Sequence, residues 1–292
     1  MRRGLEATVL GKRIESVAVC WRRSFDVADT VIDALVLGHR VTDIRRREKV
    51  LLLALDDDQH LLIHPKMTGQ LVVVEQAATV FVGGHPSRSM LGSMPNTTTR
   101  VVFTLSEDTM LFFNDQRKFG WIRLVATESL ASDPFLARLG PEPLSEEFTR
   151  RGLRAQLARH PRALIKAVIL DQSTVAGVGN VYADESLHLA RVDPRRPAGS
   201  LTVGEVGRLY AAIRTVLGDA VEHGGNSFVD YVNTFRGSGT YLAQARVFQR
   251  AGEPCGTCGT PIQRIQVAGR GTNICPHCQR CPIWVPAATR AD

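Results

Sequence analysis

Five of the six cysteines in this chain fall within its last forty or so residues. Cys255-Gly-Thr-Cys258 and Cys275-Pro-His-Cys278 form two C-x2-C knuckles separated by sixteen residues. Each knuckle sets two thiolates on one turn, and two such turns on a hairpin complete a tetrahedron around Zn2+. The spacing predicts one structural zinc held by Cys255, Cys258, Cys275 and Cys278, with His277 and Cys281 surplus. A site closed by four thiolates contributes folding energy rather than reaction chemistry. Between the knuckles lies Val267-Ala-Gly-Arg-Gly-Thr272. Glycines on both sides of Arg270 predict a tight tip that offers the guanidinium to solvent, a geometry suited to phosphate. A second segment, Leu170-Asp-Gln-Ser-Thr-Val-Ala-Gly-Val-Gly-Asn180, carries a glycine turn into a helix opened by Asn180. Free amides at a helix start bind phosphate, although Asn180 as a plain helix cap is the simpler reading.

These residues must be positioned by a chain of 292 residues, long enough for two or three domains with real cores. Hydrophobic residues make up 44% and charged residues 22%, which excludes wholesale disorder. The longest apolar stretch, Val50 to Leu55, is far short of the roughly 20 residues a membrane helix needs. Met1-Arg2-Arg3 is followed by no apolar signal region, so a soluble intracellular protein is expected. The formal charge of +7 leans toward a polyanionic partner.

The first half reads as β-rich. Lys49–Leu55, the turn Asp56-Asp57-Asp58 and Leu61–His64 form a hairpin pattern, and Gln70–Val74 is a further strand. Thr99–Leu105 and Thr109–Phe113 flank the polar turn Ser106-Glu107-Asp108 in a second hairpin. Short strands with frequent turns suggest a sandwich or barrel. Helices are expected at about Ala28–Leu37, ended by Gly38, and at Arg2–Leu10. After the linker Leu139-Gly-Pro-Glu-Pro143 the pattern turns helical. Ser145 with Glu146 and Glu147 predicts a helix start, and helical spacing runs through Leu153, Leu157, Leu164 and Val168. Asn180–Ala190 is predicted helical, and Thr202-Val-Gly-Glu205 is a capping box for a helix ending at Gly224-Gly225.

The glycine turn, the segment Asn114-Asp-Gln-Arg-Lys-Phe-Gly120 and the zinc knuckles closely resemble the formamidopyrimidine-DNA glycosylase (MutM-like) family. The likeness runs from Arg2-Arg-Gly-Leu5 to Gln279. It implies an α+β multidomain protein: an N-terminal antiparallel β-sandwich with flanking helices (1–127), a linker (128–144), a helix–two-turn–helix DNA-binding domain (145–240), a zinc finger (241–284) and a tail (285–292). It implies base-excision repair of oxidised purines, 8-oxoguanine and formamidopyrimidine, in duplex DNA by a cytoplasmic, nucleoid-associated bacterial monomer with AP-lyase activity. Such an enzyme flips the damaged base out, and the gap must then be filled. Met67 in His64-Pro-Lys-Met-Thr-Gly69, Arg117 and Phe119 match the void-filling trio. His64, Arg162, Asn180 and Arg270 match or neighbour phosphate contacts. Lys49 matches a lysine that assists lesion binding and β-elimination, and Arg270 is also assigned to the second elimination. The stretch from Gly225 to Tyr241 resembles a base-capping loop.

The family's nucleophile is an N-terminal proline in Pro-Glu-Leu-Pro-Glu-Val-Glu-Thr, with the glutamate handling protons. Here Met1 falls just after the position of that segment. The chain as written is expected to be inactive or severely impaired, through either a late-assigned start or a real truncation to a lesion-binding paralogue. The family usually has a basic or histidine residue near the strand opening at Thr98, where Pro95-Asn-Thr-Thr-Thr99 offers none, and Pro161 occupies a position that is often basic, with Arg162 beside it.

Overall fold

The structure is a computed structural model, and it describes residues 1–84, 92–225 and 241–280. The expected capping-loop residues 226–240, the tail and Cys281 lie outside the described residues. The described chain forms two compact units, one within residues 1–137 and the other within residues 138–280.

The first unit opens with α1 (Arg2–Thr8) and contains α2 (Asp29–Leu35) and nine strands. They are β1 (Ile14–Val19), β2 (Val41–Arg47), β3 (Val50–Leu55), β4 (Gln59–His64), β5 (Gly69–Glu75), β6 (Ala78–Gly84), β7 (Thr99–Leu105), β8 (Thr109–Asp115) and β9 (Trp121–Ala126). Two antiparallel sheets result, ordered β1-β7-β8-β5-β6 and β2-β3-β4-β9. Alternate residues of each strand face one core: Leu51, Leu53, Leu61 and Ile63 from one sheet, Leu71, Val73, Phe103 and Phe113 from the other. Burying such a side chain is worth about 1.5–3 kcal/mol. Leu5 and Val9 enter the same core and outweigh the exposed Arg2–Glu6 pair, worth at most about 1 kcal/mol, in holding α1. Both expected hairpins and the sandwich are present. α2 ends as expected before Gly38, whose φ of +82° suits glycine.

The second unit holds α3 (Arg150–Arg159), α4 (Ile165–Leu170), α5 (Asn180–Leu189), α6 (Val203–Glu222) and the hairpin of β10 (Gln263–Val267) and β11 (Arg270–Ile274). Leu153, Leu157, Ile165, Ile169, Leu187, Leu209 and Ile213 share its helical core. The capping box of α6 is formed by Thr202 and Glu205. The expected helix start at Ser145 is corrected to Thr149. The Thr149 side chain accepts the Gly152 amide, whereas the Ser145 hydroxyl donates to the Glu142 carbonyl within a local turn. Helical spacing also breaks between α3 and α4, where the chain turns through His160–Leu164.

Candidate nucleic-acid interface and zinc site

In the first unit, β5 and β8 pair with Gly69 opposite Asp115. The loop before β5, carrying Met67, and the turn after β8, carrying Arg117 and Phe119, therefore leave the same end of adjacent strands. The Arg117 guanidinium lies 3.5 Å from Met67 Sδ and 4.9 Å from the Phe119 ring centroid. Met67 and Phe119 are 63% and 58% exposed, against the rule that large apolar side chains are buried. The sequence-matched trio, split between two distant stretches of the chain, is thus one exposed cluster.

What fixes this cluster is Asp115, which is fully buried. Its carboxylate accepts from the Thr68 hydroxyl, from the Arg117 amide at 3.2 Å and from the Gly120 amide at 2.6 Å. The Arg117 amide also reaches Thr68 Oγ1 at 3.2 Å. One carboxylate therefore ties both loops. Close backbone approach adds a second constraint: a Cβ on Gly69 would meet the Pro65 carbonyl at 2.2 Å, and one on Gly120 would meet the Phe113 ring at 2.6 Å. Lys118 takes a left-handed φ of +60° in the turn and rests over Trp21, 3.9 Å from the ring centroid.

Lys49 follows the β2–β3 turn, whose residue Glu48 has φ +58°. Glu48 is buried, accepts the Lys49 amide and sits 2.9 Å from Lys49 Nζ. Its other carboxylate oxygen is 3.9 Å from His64 Nε2. His64, expected as a phosphate contact, is only 6% exposed and is flanked by the rings of Trp121 and Phe135, both 5.4 Å away. Burial, then the charges of Lys66 and Lys49, depress its pKa to about 3. The ring is neutral at physiological pH. Because Nδ1 accepts the Lys66 amide at 2.9 Å, the proton resides on Nε2. Any phosphate contact by His64 is a neutral N–H donation, not a charge pair.

In the second unit the glycine turn is braced by Gln172. Its amide donates to the carbonyls of Leu170 at 2.8 Å and Val178 at 3.0 Å, and its oxygen accepts the Gly177 amide at 2.7 Å. Gly177 has φ +87°. The residue preceding α5 is Gly179, with no side-chain cap. Asn180 therefore does not cap its helix: its amide donates to the Gly271 carbonyl at 3.0 Å, next to Arg270. The tip of the ribbon lies one residue earlier than expected. Ala268 and Gly269 take the left-handed φ values of +50° and +70°, and Arg270 is the first residue of β11, exposed and paired with Val267. Arg162 is exposed in the turn between α3 and α4.

Three buried charges fasten the ribbon to the helices. Lys166 donates to Asp184 at 2.6 Å, the Thr272 hydroxyl at 2.6 Å and the Gly271 carbonyl at 3.2 Å. Burial pushes Lys166 down and Asp184 up, and their contact opposes both shifts. Asp184 also accepts the Asn273 amide at 2.8 Å. Glu185 accepts three successive amides, those of Arg246, Val247 and Phe248, at 2.8–2.9 Å. None of Asp115, Gln172 and Glu185 has a spacing or neighbour that marks its bracing role in the sequence. Glu48 alone carried a hint, as an acid inside the basic run Arg45–Lys49.

The four cysteine Sγ atoms all lie within 4.8 Å of one another. Sγ–Sγ distances of 3.5 Å for Cys258–Cys275, 3.5 Å for Cys258–Cys278 and 4.0 Å for Cys255–Cys278 bracket the edge of about 3.8 Å expected of a tetrahedron with Zn–S bonds of about 2.3 Å. The donor set and its geometry fit one structural zinc. His277 is exposed and outside the cluster, as expected.

Family models cover this architecture in order: the formamidopyrimidine-DNA glycosylase N-terminal domain over residues 1–122, its H2TH domain over 139–231, and the zinc finger found in FPG and IleRS over 252–280. A β-sandwich, a helix–two-turn–helix unit and a zinc ribbon in one polypeptide define a DNA-repair glycosylase. The formamidopyrimidine-DNA glycosylase of Symbiobacterium thermophilum is 42% identical over 292 residues, covering 99% of this chain and 90% of the relative. That of Herpetosiphon aurantiacus is 39% identical over 281 residues, covering 96% of each. Among solved structures, Lactococcus lactis Fpg in complex with DNA containing an abasic site matches with a TM-score of 0.84 at 30% identity, covering 96% of this chain and 97% of that one. The MutM (Fpg) protein of Thermus thermophilus matches at 0.80 with 39% identity, covering 95% of each. The chain belongs to the formamidopyrimidine-DNA glycosylase family.

Proposed function

We propose that this chain recognises oxidised purines, 8-oxoguanine and formamidopyrimidine among them, and abasic sites in duplex DNA, as a cytoplasmic monomer. Among the described residues no helix is long and apolar enough to cross a membrane. The observation that carries the reading is the exposed Met67–Arg117–Phe119 cluster held by a buried carboxylate. Leaving two large apolar side chains in water is unfavourable unless a partner covers them. Their shape and the adjoining guanidinium suit the gap left when a nucleotide leaves the stack. In this reading the trio enters that gap, and Arg117 faces the orphaned base as a hydrogen-bond donor. Lys49, Nζ beside the Glu48 carboxylate, meets the everted nucleotide and assists β-elimination. The neutral His64 Nε2–H, Arg162, Asn180 and Arg270 contact phosphates, and Arg270 also serves the second elimination. Zinc, when bound, stiffens the hairpin that carries Arg270.

The reaction also needs an amine at the sugar carbon, which the family draws from its N-terminal proline, and a glutamate to move protons. We propose that excision depends on such an amine, so that residues 1–292 expressed without that segment would bind lesions without excising them. Borohydride trapping on an 8-oxoguanine duplex tests this. Residues 1–292 are expected to give no covalent complex, and the same chain preceded by Met-Pro-Glu-Leu-Pro-Glu-Val-Glu-Thr, with the methionine removed, is expected to give one. Capture by the shorter polypeptide would contradict the assignment. The recognition reading is tested separately by gel-shift titration. Met67→Ala with Phe119→Ala is expected to weaken binding to abasic-site duplex by roughly tenfold or more, each stacked side chain being worth about 1–3 kcal/mol, while undamaged duplex is bound as before. An unchanged preference for the lesion would overturn it.

A further inference from the structure

The zinc thiolates are not equivalent in what surrounds them. Cys275 Sγ receives the Cys278 amide at 3.4 Å, a donor from within the ribbon. Cys255 is buried, and among the described residues the N–H that can reach its sulfur comes from far along the chain: His188 Nε2, 3.5 Å away, on α5. His188 is buried as well, and its Nδ1 has no hydrogen-bond partner among the described residues. A neutral imidazole has one N–H and one bare nitrogen. With one partner available, a proton on Nδ1 would leave a buried donor unsatisfied and set the bare Nε2 against a thiolate lone pair. The proton therefore belongs on Nε2, where a charge-assisted bond forms.

We propose that His188 is an outer-sphere donor to the zinc site: its Nε2–H spreads the charge of the Cys255 thiolate and so keeps the metal bound. Four thiolates give a bound Zn2+ site a net charge of −2, and an N–H donated to one of them offsets part of that charge. The placement is specific. Asp184, one turn earlier on α5, binds the β11 amide of Asn273, Glu185 binds the amides at 246–248, and His188 completes the face by reaching the metal ligand. One helix thus meets the ribbon at its strand, at its entry and at its zinc. This goes beyond the proposed reaction and does not depend on it.

Competition with a chelator on the zinc-loaded 292-residue protein tests the assignment. H188F is expected to hold zinc about 10- to 100-fold less tightly, the usual loss when an outer-sphere partner of a metal ligand is removed. H188Q, whose side-chain amide can place an N–H where Nε2 stands, is expected to retain more than H188F. Affinity of H188F equal to the parent, or H188Q as weak as H188F, would overturn the donor role and leave only packing. Should H188F fail to fold, 15N NMR of the histidine rings in the parent protein decides instead. A His188 proton on Nε2 is expected, and one on Nδ1 refutes the proposal.

Discussion

The two units solve the same problem, holding polar and apolar tips at a surface, by opposite means. In the first, nine strands bury an apolar core, and the exposed trio hangs from it by one carboxylate, Asp115, bonded to loop donors. In the second, helices are joined to a two-stranded ribbon by Lys166, Asp184 and Glu185, and four cysteines close the ribbon on itself around a zinc site. The difference is one of core size. A sandwich can fix its loops with hydrogen bonds of about 1 kcal/mol each because the strands beneath do not move. A ribbon as small as β10–β11 cannot bury enough to stand alone, so metal and buried charge replace the missing hydrophobic contact.

That contrast can be broken, most drastically at the metal. Chelating zinc, or Cys275→Ser, is expected to unfold the ribbon, since structural zinc contributes on the order of 10 kcal/mol, and to leave the sandwich intact. Metal content together with hydrogen exchange resolved by unit reads both outcomes. Lys166→Met comes next. It strands a buried Asp184 charge and should cost about 3–5 kcal/mol in urea denaturation of the second unit, whereas a ribbon held chiefly by packing would lose little. Asp115→Asn should cost less, about 1–3 kcal/mol, because the apolar sandwich stays whole. Its larger effect is expected on lesion preference in gel shifts, through loops no longer tied together.

The smallest effect is a pH dependence in the first unit. His64 titrates near 6.5 when unfolded and near 3 in the fold. Between those values the unfolded chain binds more protons, so the contribution of His64 is complete above pH 6.5 and is lost as pH falls toward 3. His64→Phe is expected to flatten the urea midpoint between about pH 6.5 and 5 relative to the parent. Parallel curves would show that His64 is not buried as a neutral ring.

Elements with local codes were legible from sequence: the hairpin turns, the Thr202–Glu205 capping box and the paired cysteine knuckles. The trio was legible only through family resemblance, since nothing in the spacing of Met67 and Arg117 says that β5 pairs with β8. Ser145 misled because a serine before two glutamates fits a cap, and only the neighbouring Thr149 shows which hydroxyl meets an amide. Asp115, Glu185, Gln172 and His188 escaped for a common reason. Each owes its role to the partners folding brings to it, between 2 and 67 residues away.

The pairing of Gly69 with Asp115 has a consequence for anyone altering the exposed trio. Side chains alternate across a strand, so inserting one residue into β5 or β8 would swing one loop by about 3.3 Å and turn the following positions inside out. The three tips are therefore more readily exchanged than the arms that carry them are lengthened.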